Sequence, residues 1–247
     1  MAVLVEACVD SVLSAVAAER GGAGRVELCD NLFDGGTTPS AGMISAVKSA
    51  LRIPVFAIVR PRGGGFVYSD EEIAVMRLDI EAARMLGADG VVVGALTADA
   101  RVDEERLHVL VDTARELPVT FHRAFDLARD QDEALETLIR GRISRVLTSG
   151  GAARALDGAE AIGALARRGA GQITVMAGGG VREDTVQELV HRSGVGEVHV
   201  RGTRPARAPM APDRGAIRLR KDPPEDEAVW EETDERRIRE FVRLANG

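Results

Sequence analysis

Val55-Phe56-Ala57-Ile58-Val59-Arg60-Pro61-Arg62-Gly63-Gly64-Gly65 decides how the rest of this chain is read. A short run of β-branched and aromatic residues breaks off into arginines and glycines. Soon after comes Ser69-Asp70-Glu71-Glu72, a capping box with Glu72 at N3. The helix it opens repeats apolar residues at Ile73, Met76, Ile80, Ala83 and Leu86, then meets Gly87. Strand, polar loop and helix make one βα unit.

The same unit recurs on either side. Apolar runs stand at Val3 to Ala7, Arg25 to Leu28, Val55 to Val59, Gly90 to Val93, Val119 to Phe121, Arg145 to Thr148, Thr174 to Ala177 and Glu197 to Val200. Each ends in polar or glycine residues, and a helical stretch follows. Eight such units, with charged residues collected at strand C-termini, predict a single α/β domain, a (β/α)8 TIM barrel with an active mouth. The length of 247 residues suits one such barrel.

The helix signals agree with this plan. Asp10 and Ser11 cap a first helix ending near Arg20. Thr38-Pro39 starts the second, with Pro39 at N1. Asp103 opens the fourth, and further helices are expected near 131–140, 158–168 and 182–192. Residues 202–226 break the rhythm. They carry Pro205, Pro209, Pro212, Pro223 and Pro224 and read either as a long polar loop beside the mouth or at a subunit interface, or as a disordered insertion. Asp234 to Ala245 then reads as a last helix.

Composition narrows the function. The net charge of -7 argues against nucleic acid or an anionic membrane surface as partner. No apolar run is long enough to span a bilayer. The N-terminus enters a strand without a basic leader, and two cysteines make no disulfide framework, so a cytoplasmic location is expected. Among 32 basic residues only Lys48 and Lys221 are lysines, and neither sits at a strand end. That argues against Schiff-base chemistry.

Strand alternation decides which side chains share a face. Glu-x-Cys occurs twice, as Glu6-Ala7-Cys8 and Glu27-Leu28-Cys29, on strands expected to be neighbours. Two carboxylates and two thiols then meet in one corner of the mouth. The cysteines fit a soft-metal site or two small buried hydrophobes. The glutamates fit an acid–base pair. Arg60 and Arg62 either neutralise those glutamates or hold a carboxylate or phosphate. His122 points into the mouth as a proton carrier or ligand, with Asp126 placed to orient it or to cap a helix. Gly178, Gly179 and Gly180 lead into a helix and suit an anion. His199 closes the ring beside the first strand.

These segments together resemble the CutC family of copper homeostasis proteins. The resemblance rests on Val26-Glu27-Leu28-Cys29, Gly35-Gly36-Thr37-Thr38-Pro39-Ser40, Ile58-Val59-Arg60-Pro61-Arg62-Gly63-Gly64, Phe66-Val67-Tyr68-Ser69, Thr120-Phe121-His122-Arg123-Ala124-Phe125-Asp126, Arg145-Val146-Leu147-Thr148-Ser149-Gly150-Gly151, Met176-Ala177-Gly178-Gly179-Gly180-Val181 and Glu197-Val198-His199. It implies a barrel fold, cytoplasmic copper(I) handling and a homodimer or larger homo-oligomer, and it puts the proposed Cu(I)-binding cysteines at Cys8 and Cys29. Gly65, Val200-Arg201 and 202–226 depart from the family pattern. The residues around the mouth also fit a different reading, an enzyme doing acid–base chemistry on a small anionic metabolite, phosphorylated or carboxylated.

Overall fold

The computed structural model describes residues 2–207 and 229–247. Eight strands close into a parallel barrel: β1 (Leu4–Val9), β2 (Arg25–Leu28), β3 (Val55–Ile58), β4 (Gly90–Val93), β5 (Val119–Phe121), β6 (Arg145–Thr148), β7 (Thr174–Gly178) and β8 (Glu197–Val200). Each pairs with the next in sequence, and β8 closes on β1 with Glu6 opposite His199. This is the (β/α)8 barrel that the sequence predicts.

Helices α1 (Val12–Arg20), α2 (Ala41–Ala50), α3 (Asp70–Met85), α4 (Glu104–Ala114), α5 (Gln131–Arg140), α6 (Ala159–Arg168), α7 (Val186–Ser193) and α8 (Glu235–Ala245) follow the strands. Their starts are set by local chemistry. Ser11, Ser69, Asp103, Asp130 and Asp234 each accept a backbone N–H at an N-terminus. At α3 the full capping box is present. The start of α2 differs from the expectation: Ser40 is the cap and the helix begins at Ala41, two residues beyond Pro39. The Ser40 hydroxyl takes the Met43 amide, an acceptor that a proline start cannot supply. Helix α7 likewise begins at Val186, later than the sequence suggests.

Strand alternation sorts the side chains into two environments. Val5, Ala7, Val26, Leu28, Val55, Ala57 and Val91 face outward and join the large core against the helices. Glu6, Cys8, Arg25, Glu27, Phe56 and Ile58 occupy the alternate positions. Inside the barrel Cys8, Cys29, Phe56, Ile58 and Val92 form a small apolar cluster, and the polar side chains fall into a lower and an upper layer. Among the described residues no helix is long and apolar enough to cross a membrane.

Within the atypical 202–226 segment, Thr203–Arg207 form a strand, β9, rather than loop. It pairs antiparallel with β10 (Val229–Thr233), Thr203 opposite Thr233. Two edges that each need a partner satisfy one another here. The Thr233 amide donates to Ser14 Oγ of α1 at 3.1 Å, tying the ribbon to the barrel. Residues 208–226 lie outside the described residues.

Candidate functional site

The lower polar layer lies toward the N-terminal ends of the strands. Arg25 is buried and donates through Nε to Glu6 and through Nη2 to Glu197 at 2.5 Å. Arg145 donates to the same Glu197 at 2.6 Å and to Thr120 Oγ1 at 3.3 Å. Both guanidiniums lie within 5.1 to 5.4 Å of the Phe56 ring. Two cations and two carboxylates therefore balance in a closed network.

The upper layer opens into a cavity of about 660 Å³ at the C-terminal ends of the strands. Cys8, Glu27, Cys29, Arg60, His122 and His199 line it. Two glycines make room for its histidines. A Cβ on Gly94 would overlap the His122 ring, and one on Gly178 would lie 2.9 Å from the His199 Cβ.

His199 joins the layers. Its Nδ1 sits 2.8 Å from Glu6 Oε1, and its Nε2 is 3.5 Å from Glu27 Oε2. Cys8 Sγ and Cys29 Sγ are 3.8 Å apart. Ligand atoms of Cys8, Glu27 and His199 all fall within 4.8 Å of one another.

The charges follow from these contacts. Burial pushes the Glu6 carboxyl up, but the hydrogen bond from His199 and the charge of Arg25 outweigh it and hold it at about 2. Glu6 is thus an anion that fixes the His199 proton on Nδ1. The hydrogen bond from Cys29, against burial and with help from His199, brings Cys8 down to about 5. Cys29, the donor in that contact, is pushed well above its ordinary value. Burial opposes a charge on His199, yet its hydrogen bonds to Cys8 and Glu6 prevail and raise it well above the usual imidazole range. Burial lifts Glu27 to about 8, so near neutrality it is a carboxylic acid.

His122 behaves differently. Burial, then the charge of Arg60, lowers it to about 3. Its Nδ1 accepts the Ala124 amide at 3.1 Å, which places the proton of the neutral ring on Nε2. That Nε2 is buried without a hydrogen-bond partner among the described residues.

The structure gathers Glu6, Cys8, Glu27, Cys29 and His199 into one cluster, with His122 across the pocket. Other expected residues sit elsewhere or hold the loops. Arg60 gives Nη1 to the carbonyls of Asp34 and Gly36 and Nη2 to that of Gly64. It does not neutralise the glutamates; Arg25 pairs with Glu6, and Glu27 faces His199. Arg62 turns outward onto Glu72, the Tyr68 ring and the carbonyls of Gly65 and Val67. Asp126 makes no contact with His122 and instead accepts from Thr148, Ser149 and Arg123. Gly179 and Gly180 line the pocket, whereas Gly178 serves as the space beside His199.

Sequence reading missed Arg25 and Arg145. The signal for both was present, since Arg25 shares strand parity with Glu27 and Arg145 follows the alternation of Leu147. It also missed the arginines of the rim, Arg123, Arg154 and Arg182, which come from three separate loops.

Comparison with known proteins places the chain. The CutC family model matches residues 3–203. The copper homeostasis protein cutC homolog of Mus musculus is 53% identical over 196 residues, covering 79% of this chain and 72% of that protein. A CutC family protein of Xylella fastidiosa (strain 9a5c) is 45% identical over 242 residues, 97% of this chain and 88% of that protein. The crystal structure of CutC from Streptococcus agalactiae superposes with a TM-score of 0.77 at 35% identity, over 80% of this chain and 97% of that one. Phosphoribosylanthranilate isomerase from Pyrococcus furiosus, at 16% identity and a TM-score of 0.58, shares the barrel fold alone. This chain belongs to the CutC family.

Proposed function

We propose that this chain binds Cu(I) as cargo through Cys8, Cys29 and His199, in the reducing cytoplasm. The observation that carries the reading is the pair of sulfurs 3.8 Å apart with a His199 ring nitrogen within 4.8 Å of the Cys8 sulfur, its Nδ1 held by Glu6. Metal–thiolate bonds run to about 2.3 Å, so one ion reaches both sulfurs. Soft thiolates select Cu(I) over hard cations. A histidine whose far nitrogen donates to a carboxylate is the usual arrangement of a metal-bound imidazole, since the carboxylate fixes the tautomer and raises basicity. Cys8 supplies a thiolate before the metal arrives. Cys29 and His199 give up a proton as it binds. The copper homeostasis homologs of mouse and human support the same reading.

The test is a Cu(I) titration against a competing chelator. Cys8→Ser with Cys29→Ser is expected to abolish high-affinity binding, and His199→Gln to weaken it. Unchanged affinity in the double variant would overturn the assignment.

A further inference from the structure

The cavity extends well beyond the sulfur corner, and its rim is basic. Arg123, Arg154, Arg182 and Arg201 line it together with Arg60, against the carboxyl groups of Asp34 and Glu27. Arg123 is steered by Asp126 and Ser149, Arg154 by Asp157, and Arg182 by Asp184. Each of these three spends Nε and Nη2 on its neighbours. Its Nη1 has no hydrogen-bond partner among the described residues.

Arg123 and Arg154 converge on the turn that follows β7, and Arg182 stands two residues after that turn in the chain and lines the same cavity. Gly179 and Gly180 pass through positive φ, 109° and 64°, which glycine adopts without strain. The Arg123 guanidinium lies against Gly179 and the Arg154 side chain against Gly180. Gly179 and Gly180 line the cavity, and neither puts a side chain of its own into it.

A second, independent feature lies deeper. His122 is 5% exposed and lines the cavity, and its Nε2–H meets no acceptor in the described protein. Buried donors are nearly always satisfied by protein or ordered water, so this orphan in the pocket wall is a donor left for a partner from outside the chain. The Nε of Arg60 is orphaned in the same wall. Phe66, 4.8 Å from the His122 ring, gives this part of the wall an apolar face.

We propose that this pocket binds a small organic phosphate. Its phosphate group sits on the rim between Arg123, Arg154, Arg182 and the Gly179–Gly180 turn, and its organic body extends toward Phe66 and His122. Guanidiniums approaching from three loops suit a tetrahedral dianion with several equivalent oxygens better than a flat carboxylate. The volume of about 660 Å³ exceeds what a bare ion needs and falls in the usual range for small-molecule sites. The site is separate from the Cu(I) ligands, and either can fail without the other.

The experiment titrates inorganic phosphate into the full-length protein at low ionic strength by calorimetry. It compares the natural chain with an Arg154→Ala, Arg182→Ala double variant. Both side chains are more than half exposed and, among the described residues, pair only with a neighbouring aspartate, so folding is preserved and a melting curve checks it. An Arg168→Ala, Arg243→Ala variant, at two arginines that do not line the pocket, controls for general basic charge. The expected result is saturable phosphate binding that weakens at least tenfold in the first variant and stays unchanged in the control. Cu(I) affinity is expected to be the same in all three. Absence of saturable phosphate binding, undiminished binding in the first variant, or equal loss in the control would overturn the proposal.

Discussion

The two polar layers inside this barrel differ in how completely their groups are satisfied. In the lower layer, Arg25, Glu6, Glu197 and Arg145 form a closed set in which each charge has an opposite partner. In the upper layer, Cys8 and Cys29 share one hydrogen bond, Glu27 is neutral, and His122 carries an unanswered N–H. Both layers are buried by the same strands. The lower one behaves as a fixed floor. The upper one keeps capacity for something from outside the chain. Glu6 belongs to both, since it accepts from Arg25 below and from His199 above. The floor therefore sets the state of the site.

The sharpest way to break this contrast is to remove the floor's central cation. Arg25→Met leaves Glu6 with His199 alone and Glu197 with Arg145 alone. Breaking a buried ion pair by deleting one partner costs about 3–5 kcal/mol. Chemical denaturation of the variant is expected to show a loss of that size. A loss below about 1 kcal/mol, the range of an exposed pair, would mean the layer is hydrated rather than closed.

The upper layer makes itself felt through acid. The folded state holds His122 at about 3 against 6.5 for a free imidazole. The unfolded chain therefore binds the extra proton first. This contribution is fully present above pH 6.5 and is lost progressively as pH falls toward 3. Each unit within that window is worth up to about 1.4 kcal/mol. Melting temperature against pH should fall more steeply for the natural chain than for His122→Phe. Parallel profiles would show that the ring is solvated.

The link between the layers is tested by Glu6→Gln. The amide keeps the shape but loses the charge that holds the His199 proton on Nδ1. Loss of such a supporting carboxylate typically costs 10- to 100-fold in metal affinity. Cu(I) affinity is expected to drop by that much with both cysteines intact. If Cys8→Ser and Cys29→Ser abolish binding while Glu6→Gln leaves it unchanged, the floor does not govern the site.

These comparisons also show what a sequence can disclose. The strand-end pattern was enough for the barrel, because period-two alternation and helix caps are local signals. It was enough for the Cys8, Cys29, Glu27 and His199 corner as well, because parity alone places those side chains inward. It failed on pairing. Arg60 sits one strand from Glu27, and nothing in its neighbours reveals that three loop carbonyls take its hydrogens. Arg25 lies within one strand register of Glu6, but its role depends on β8 closing the ring, a contact nearly two hundred positions away in sequence. The rim arginines come from loops whose convergence is set only by the closed barrel.

The smallest effect is expected at Arg62, and it separates a conspicuous motif from a working residue. Arg62 stands in the Arg-Pro-Arg-Gly loop beside Arg60, yet its side chain is 42% exposed and points at Glu72. An exposed pair of this kind contributes at most about 1 kcal/mol, and less as salt screens it. The capping box of α3 persists without Arg62, because Glu72 also accepts the Ser69 amide at 2.8 Å. Arg62→Ala is therefore expected to lower stability by less than about 1 kcal/mol and to leave Cu(I) and phosphate binding unaltered. Arg60→Ala, two residues away, removes a guanidinium that holds three carbonyls and stacks 5.1 Å from Phe66 at the pocket wall. It is expected to cost several times more and to disturb the pocket. Equal effects at the two positions would mean that the loop acts as one charged unit, and that the inward and outward arginines are not distinguished by their contacts.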